Sequence, residues 1–131
     1  MTENGCGKAK ILIIEDEPQV AAVTRKLLRR RFEADVDLAP DLATARELMA
    51  SREYDMVTLD QMLPDGTGLD YLLEVRASGN RVPIVMLSAV LPASLEQDPM
   101  TCGALDYVVK DENLQSRLIQ AATLGLGLVY A

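Results

Sequence analysis

The stretch Lys10–Leu28, KILIIEDEPQVAAVTRKLL, contains one full unit of the fold. Its opening run is apolar without alternation, the pattern of an inner parallel strand covered on both faces. Glu15, Asp16 and Glu17 close the run. Val20, Val23, Thr24, Leu27 and Leu28 then follow the i, i+3, i+4, i+7, i+8 spacing of one helix face. Working outward, the same alternation of a short run and a helical stretch is repeated five times. The runs are Lys10–Glu15, Asp35–Ala39, Asp55–Asp60, Pro83–Ser88 and Leu105–Lys110. Asp41 is placed to cap a second helix carrying Leu42, Ala45, Leu48 and Met49. Leu69, Leu72 and Leu73 stripe a third, which Gly79 can end. A fourth is expected over Ala93–Cys102, although Pro99 lies inside it. A fifth, capped by Asp111 or Asn113, runs through Leu114, Leu118, Ile119 and Ala122. Five such units predict parallel strands and a three-layer α/β/α sandwich.

Composition sets outer limits on function. The chain has 131 residues, 49% apolar and 25% charged, which suits one compact domain and excludes disordered and low-complexity classes. Thirteen basic residues against twenty acidic ones leave a net charge of −7. The cluster Arg25, Lys26 and Arg29–Arg31 ends the first helix, where cations have a local electrostatic reason to sit. Neither direct nucleic-acid binding nor a membrane partner is expected of so acidic a chain. Histidine is absent. That removes the Ser–His–Asp triad, the Cys–His pair and any histidine proton shuttle. Cys6 and Cys102 form no metal-ligand spacing and are expected as free thiols. With neither a signal peptide nor an apolar run of the ~20 residues a membrane helix needs, the expected location is the cytoplasm.

In a parallel sheet of this kind chemistry collects beyond the carboxyl ends of the strands. The first run ends in Glu15-Asp16-Glu17, the third in Asp60, the fourth in Ser88 and the fifth in Lys110. Glu15, Asp16 and Asp60 would put three carboxylates at one edge with Lys110 to balance them. A hard divalent cation relieves such repulsion, and Mg²⁺ favours oxygen ligands of this type. An Asp carboxylate beside Mg²⁺ and a Lys is also suited to attack a phosphoryl group.

These residues resemble the receiver (CheY-like) domain of two-component response regulators, from about Lys8 to about Leu124. The similarity lies in ILIIEDEP at the first strand, LDQMLPDGTGLD after the third, PIVMLSA at the fourth and GALDYVVK at the fifth. The spacing of Asp60, Pro64 and Gly68 is its most specific element. The resemblance implies a flavodoxin-like strand order 2-1-3-4-5. It implies that Asp60 is phosphorylated by a sensor histidine kinase or phosphotransfer protein, with the chain assisting that reaction and its reversal by autodephosphorylation. It implies direct Mg²⁺ binding by Asp16, Asp60 and the backbone carbonyl of Met62, with Glu15 acting through water and Mn²⁺ able to replace Mg²⁺. Lys110 would contact the phosphoryl group, Ser88 would move to bond it, and Tyr107 would turn inward as Ser88 moves. Ala89 fits a position where a larger side chain would crowd the phosphoryl group. The fourth helix, fifth strand and fifth helix would carry the signal to an output domain or partner. They could also form a homodimer in which Asp106 pairs with Arg117.

Three departures from the family pattern stand out. Asp111 follows Lys110 where Pro is commonest, so a trans bond and a shifted start to the last helix are expected. Met62 and Val90 are apolar where fast-hydrolysing relatives carry groups that orient water, so slow autodephosphorylation is expected. The chain ends soon after the last helix. It divides into a disordered tail at 1–8, the receiver at 9–126, and a tail or linker start at 127–131. Two other readings bear on function. A receiver acting by contact alone, without phosphorylation, draws on the Lys110–Asp111 departure. An aspartyl-phosphate phosphatase of the haloacid dehalogenase type would need a second Asp where Met62 stands, and a cap for which the chain has no room.

Overall fold

A computed structural model describes residues 8–127. The expected tails therefore lie almost wholly outside the described residues, as does Cys6. The elements run β1 (Lys10–Ile14), α1 (Pro18–Phe32), β2 (Asp35–Ala39), α2 (Leu42–Ser51) and β3 (Met56–Leu59). They continue with β4 (Met62–Leu63), β5 (Gly66–Thr67), α3 (Gly68–Ala77), β6 (Ile84–Ser88), β7 (Asp106–Val109) and α4 (Leu114–Gly125). Five strands form one sheet in the order β2-β1-β3-β6-β7, and every pairing in it is parallel. With β4 and β5 set aside as a separate antiparallel hairpin, this is the expected 2-1-3-4-5 order.

The unbroken apolar runs have a direct explanation. Leu12 and Ile14 of β1 pack on one side of the sheet with Val57, Leu59, Ile84, Met86 and Leu72. Ile11 and Ile13 pack on the other with Met56, Val85, Leu87, Val108, Leu28 and Leu118. Successive side chains of a strand point to opposite faces, so a strand with helices on both sides must be apolar at every position. Burial of each of these β1 side chains is worth at most about 2–3 kcal/mol.

The termini of the first three helices follow the sequence closely, whereas α4, expected to be capped by Asp111 or Asn113, starts after Asn113 with no side-chain cap. Asp41 Oδ1 accepts from the Thr44 N–H at 2.8 Å and so caps α2. α1 has no side-chain cap but starts with Pro18, whose missing N–H costs nothing in a first turn. It ends at Glu33, a left-handed residue (φ 52°) whose N–H returns to the Arg29 carbonyl. Gly79, with φ 89°, terminates the turn after α3 as expected.

The fourth expected helix is missing. No α-helix forms over Ala93–Cys102. Only a single 3₁₀ turn, Pro92–Ser94, is present in that stretch. Pro99 has no N–H to give and disfavours helical geometry at Asp98 before it. Asp98 instead bonds its own neighbours, accepting from the Met100 N–H at 3.0 Å and the Thr101 hydroxyl at 3.2 Å. A side chain that satisfies local backbone in this way competes with the helix. Arg76 of α3 holds the far end of the segment, donating to the Gly103 carbonyl at 2.8 and 3.2 Å and to the Asn80 carbonyl at 2.9 Å. The expected signalling face of fourth helix, fifth strand and fifth helix is therefore made here by this irregular segment, β7 and α4.

Candidate phosphoacceptor and metal site

The site lies where β1, β3 and β7 end. Glu15 follows β1, Asp60 follows β3 and Lys110 follows β7, and the 2-1-3-4-5 order brings these ends to one edge. Asp60 is 6% exposed and Glu15 5%, while Asp16 faces solvent. Carboxylate oxygens of Glu15, Asp16 and Asp60 all lie within 4.8 Å of one another. Three hard oxygen donors at that separation fit a divalent cation of the Mg²⁺ class.

Lys110 reaches over to this cluster. Its Nζ lies 2.7 Å from Glu15 Oε1 and 3.0 Å from Asp60 Oδ2. Burial alone would lower its pKa, but the two carboxylates outweigh that and hold the ammonium above its usual value. Burial, reinforced by the Asp60 charge and partly offset by Lys110, pushes Glu15 up to about 7. The other Glu15 oxygen accepts from the Glu17 N–H at 3.2 Å.

Asp60 is held from its other side as well. Its Oδ1 accepts from the Gln61 N–H at 2.7 Å and faces the Met62 N–H at 3.5 Å. The spacing from Asp60 to Gly68 also acquires a physical reason. A Cβ at Gly68 would stand 2.2 Å from the Asp60 carbonyl oxygen, so no other residue fits where α3 abuts this loop. The tip of the β4–β5 hairpin is tied down in turn. Asp65 accepts from the Leu42 and Ala43 N–H groups, each at 2.9 Å, and these bonds hold its carboxyl below the usual range.

Ser88 is fully buried at the end of β6, and its hydroxyl accepts from the Val90 N–H at 3.1 Å. Tyr107 is 8% exposed and donates its hydroxyl to the Val90 carbonyl at 2.5 Å. Burial raises the phenol pKa, with a hydrogen bond to Ser88 pulling the other way. The ring already occupies an inward position, bonded to the turn that follows Ser88. Met62 is 61% exposed at the mouth of the site, and Val90 is half-buried. Every peptide bond among the described residues is trans, including Lys110–Asp111. Asp111 accepts from the Asn113 N–H at 2.9 Å, and α4 begins at Leu114. The Lys110 amine reaches both carboxylates without a proline after it.

Gln61 was not singled out from the sequence. It is 7% exposed, and its Oε1 accepts from the Leu69 N–H at 2.9 Å. The signal available was weak: a long polar side chain between the strand-ending Asp60 and the apolar pair Met62-Leu63.

The family described as the response regulator receiver domain matches residues 11–123. The transcriptional regulatory protein DltR of Streptococcus agalactiae is 36% identical over 130 residues, covering 90% of this chain and 58% of that protein. The transcriptional regulatory protein CusR of Escherichia coli is 33% identical over 116 residues, covering 88% of this chain and 50% of that one. The chain thus spans between half and three fifths of the length of these relatives. Among solved structures, the Thermotoga maritima response regulator TrrA in complex with Mg²⁺-BeF is 26% identical, with a TM-score of 0.77 over 88% of this chain and 98% of that one. A two-component response regulator from Clostridium difficile is 25% identical, with a TM-score of 0.82 over 92% of this chain and 97% of that one. No helix among the described residues is long and apolar enough to cross a membrane. By fold, motif spacing and matched length, the chain belongs to the response regulator receiver domain family.

Proposed function

We propose that this receiver is an active phosphoacceptor, with Asp60 taking a phosphoryl group from a phosphohistidine of a sensor kinase or phosphotransfer protein. The observation that carries this reading is the Lys110 ammonium, bonded at once to Asp60 and Glu15 beside the exposed Asp16. An Asp60 carboxylate oxygen attacks phosphorus. The new P–O bond forms as the P–N bond to the donor imidazole breaks, and the electron pair leaves with that nitrogen. Lys110 gives positive charge to the phosphoryl oxygens as they arrive. Asp16, Asp60 and the Met62 carbonyl are the residues that would hold Mg²⁺ or Mn²⁺, with Glu15 acting through water. A divalent ion bound there supplies further positive charge beside the transferring oxygens.

Ser88 and Tyr107 share the Val90 turn, so a phosphoryl oxygen that draws the Ser88 hydroxyl away perturbs the bond holding Tyr107. The disturbance reaches the Leu91–Gly103 segment, β7 and α4, and from there an output domain, a partner or a second copy. Met62 and Val90 give no polar group to orient water, so the acyl phosphate is expected to outlast a seconds-scale lifetime. The contact-only reading loses its main support, because Lys110 keeps its bonds without a following proline.

Intact-mass spectrometry after incubation with acetyl phosphate tests the proposal. One added phosphoryl group is expected, dependent on Mg²⁺ and missing in Asp60→Asn. An adduct that persists in Asp60→Asn contradicts it.

A further inference from the structure

We infer that Gln61 is a positioning residue for phosphoryl transfer, fixing the orientation of the Asp60 carboxylate through the N-terminus of α3. The inference rests on the phosphoacceptor reading and goes beyond it by assigning a residue outside the carboxylate, lysine and serine set.

Three bonds run from this residue in different directions. Its N–H donates to Asp60 Oδ1 at 2.7 Å. Its carbonyl accepts from the Gly68 N–H at 2.8 Å, and its side-chain Oε1 accepts from the Leu69 N–H at 2.9 Å. Gly68 and Leu69 open α3, where the first N–H groups have no partner within the helix. Gln61 satisfies two of them, one with its backbone and one with its side chain. Thr67 takes a third, its hydroxyl oxygen accepting from the Asp70 N–H at 3.2 Å. Gln61 is thereby pinned at its backbone N–H, its backbone carbonyl and the tip of its side chain.

The peptide between Asp60 and Gln61 is also packed from outside, since α3 approaches the Asp60 carbonyl as closely as Gly68 allows. Rotation of that peptide would swing the N–H that holds Oδ1. The same rotation would move the following Met62 backbone, whose N–H faces Oδ1 and whose carbonyl belongs to the proposed metal shell. One buried amide side chain thus controls the aim of the attacking carboxylate and of a candidate metal ligand. Neither effect needs Gln61 to touch the phosphoryl group.

Gln61→Met keeps the length and removes the acceptor. Thr67→Val removes a neighbouring α3 cap without touching Asp60, and so reports what helix destabilisation alone does. For each chain we would measure urea stability, amide exchange at Leu69, Mg²⁺ affinity, and the rate of phosphoryl uptake from acetyl phosphate at saturating Mg²⁺. The expected result is a Gln61→Met rate lower by about tenfold with weaker Mg²⁺ binding, and a Thr67→Val rate within about twofold of the parent. Equal slowing in both variants would overturn the inference, since helix stability would then be the cause. So would a parent-like rate in Gln61→Met after Leu69 has lost its exchange protection. If Gln61→Met does not fold, Gln61→Asn, too short to reach Leu69, serves in the same comparison. Failure of the phosphoacceptor reading is separately visible as a parent chain no different from Asp60→Asn.

Discussion

The two ends of the proposed switch are built differently. At the carboxylate end, Glu15, Asp60, Gln61 and Lys110 are each buried or nearly so, and each is held by at least one bond at 2.7 Å. Along Leu91–Gly103, by contrast, the backbone makes one 3₁₀ turn, Leu91 is 61% exposed and Met100 46%. That segment is anchored by the Arg76 guanidinium on the Gly103 and Asn80 carbonyls. The proposed chemistry therefore sits in a frame of short bonds, and the surface proposed to report on it is the part with least regular structure. A stiff input next to a loosely held output lets a small local charge shift a population without disturbing the core.

The sharpest way to break this contrast is at Lys110. Lys110→Met leaves two neighbouring carboxylates without their cation and removes charge from the path of the phosphoryl oxygens. Uptake from acetyl phosphate is expected to fall by about 100-fold or more, read by intact mass over time. A fall of less than threefold would show that the amine is not part of the input end. Next in size is Gly68→Ala, where the added methyl meets the Asp60 carbonyl. It should cost about 3 kcal/mol in urea denaturation and lower Mg²⁺ affinity as the loop shifts. A neutral result would mean that the loop around Asp60 gives way easily, against the idea of a stiff frame. Smallest is Arg76→Ala, expected to cost about 1 kcal/mol and to raise amide exchange across Pro99–Ala104. Mg²⁺ affinity should stay unchanged, and a change in it would join two regions described here as separable.

The contrast also explains what the sequence could tell. Both faces of β1, β3 and β6 are buried, so their unbroken apolar runs carried a clear signal. The capping of α2 by Asp41 and the end of α3 near Gly79 were equally legible, since each depends on one residue acting on its own backbone. Glu15, Asp16, Asp60 and Lys110 could be grouped because a parallel sheet brings its strand ends to one edge. The expected fourth helix was misjudged for the opposite reason. Pro99 and the Asp98 side chain override the helical pattern locally, and the partner that holds the segment, Arg76, is 27 residues from Gly103. Gln61 stayed hidden because its worth lies in a bond to Leu69, eight residues ahead, which no spacing rule points to.

The central claim is that Asp60 itself accepts the phosphoryl group. Borohydride reduces an acyl phosphate to the alcohol, so an aspartyl phosphate becomes homoserine at the modified position. After acetyl phosphate and Mg²⁺, reduction and peptide mapping should place homoserine at position 60 in the parent chain, and nowhere in Lys110→Met above a small fraction of that level. Homoserine at another aspartate, or an adduct that borohydride leaves intact, would contradict the account.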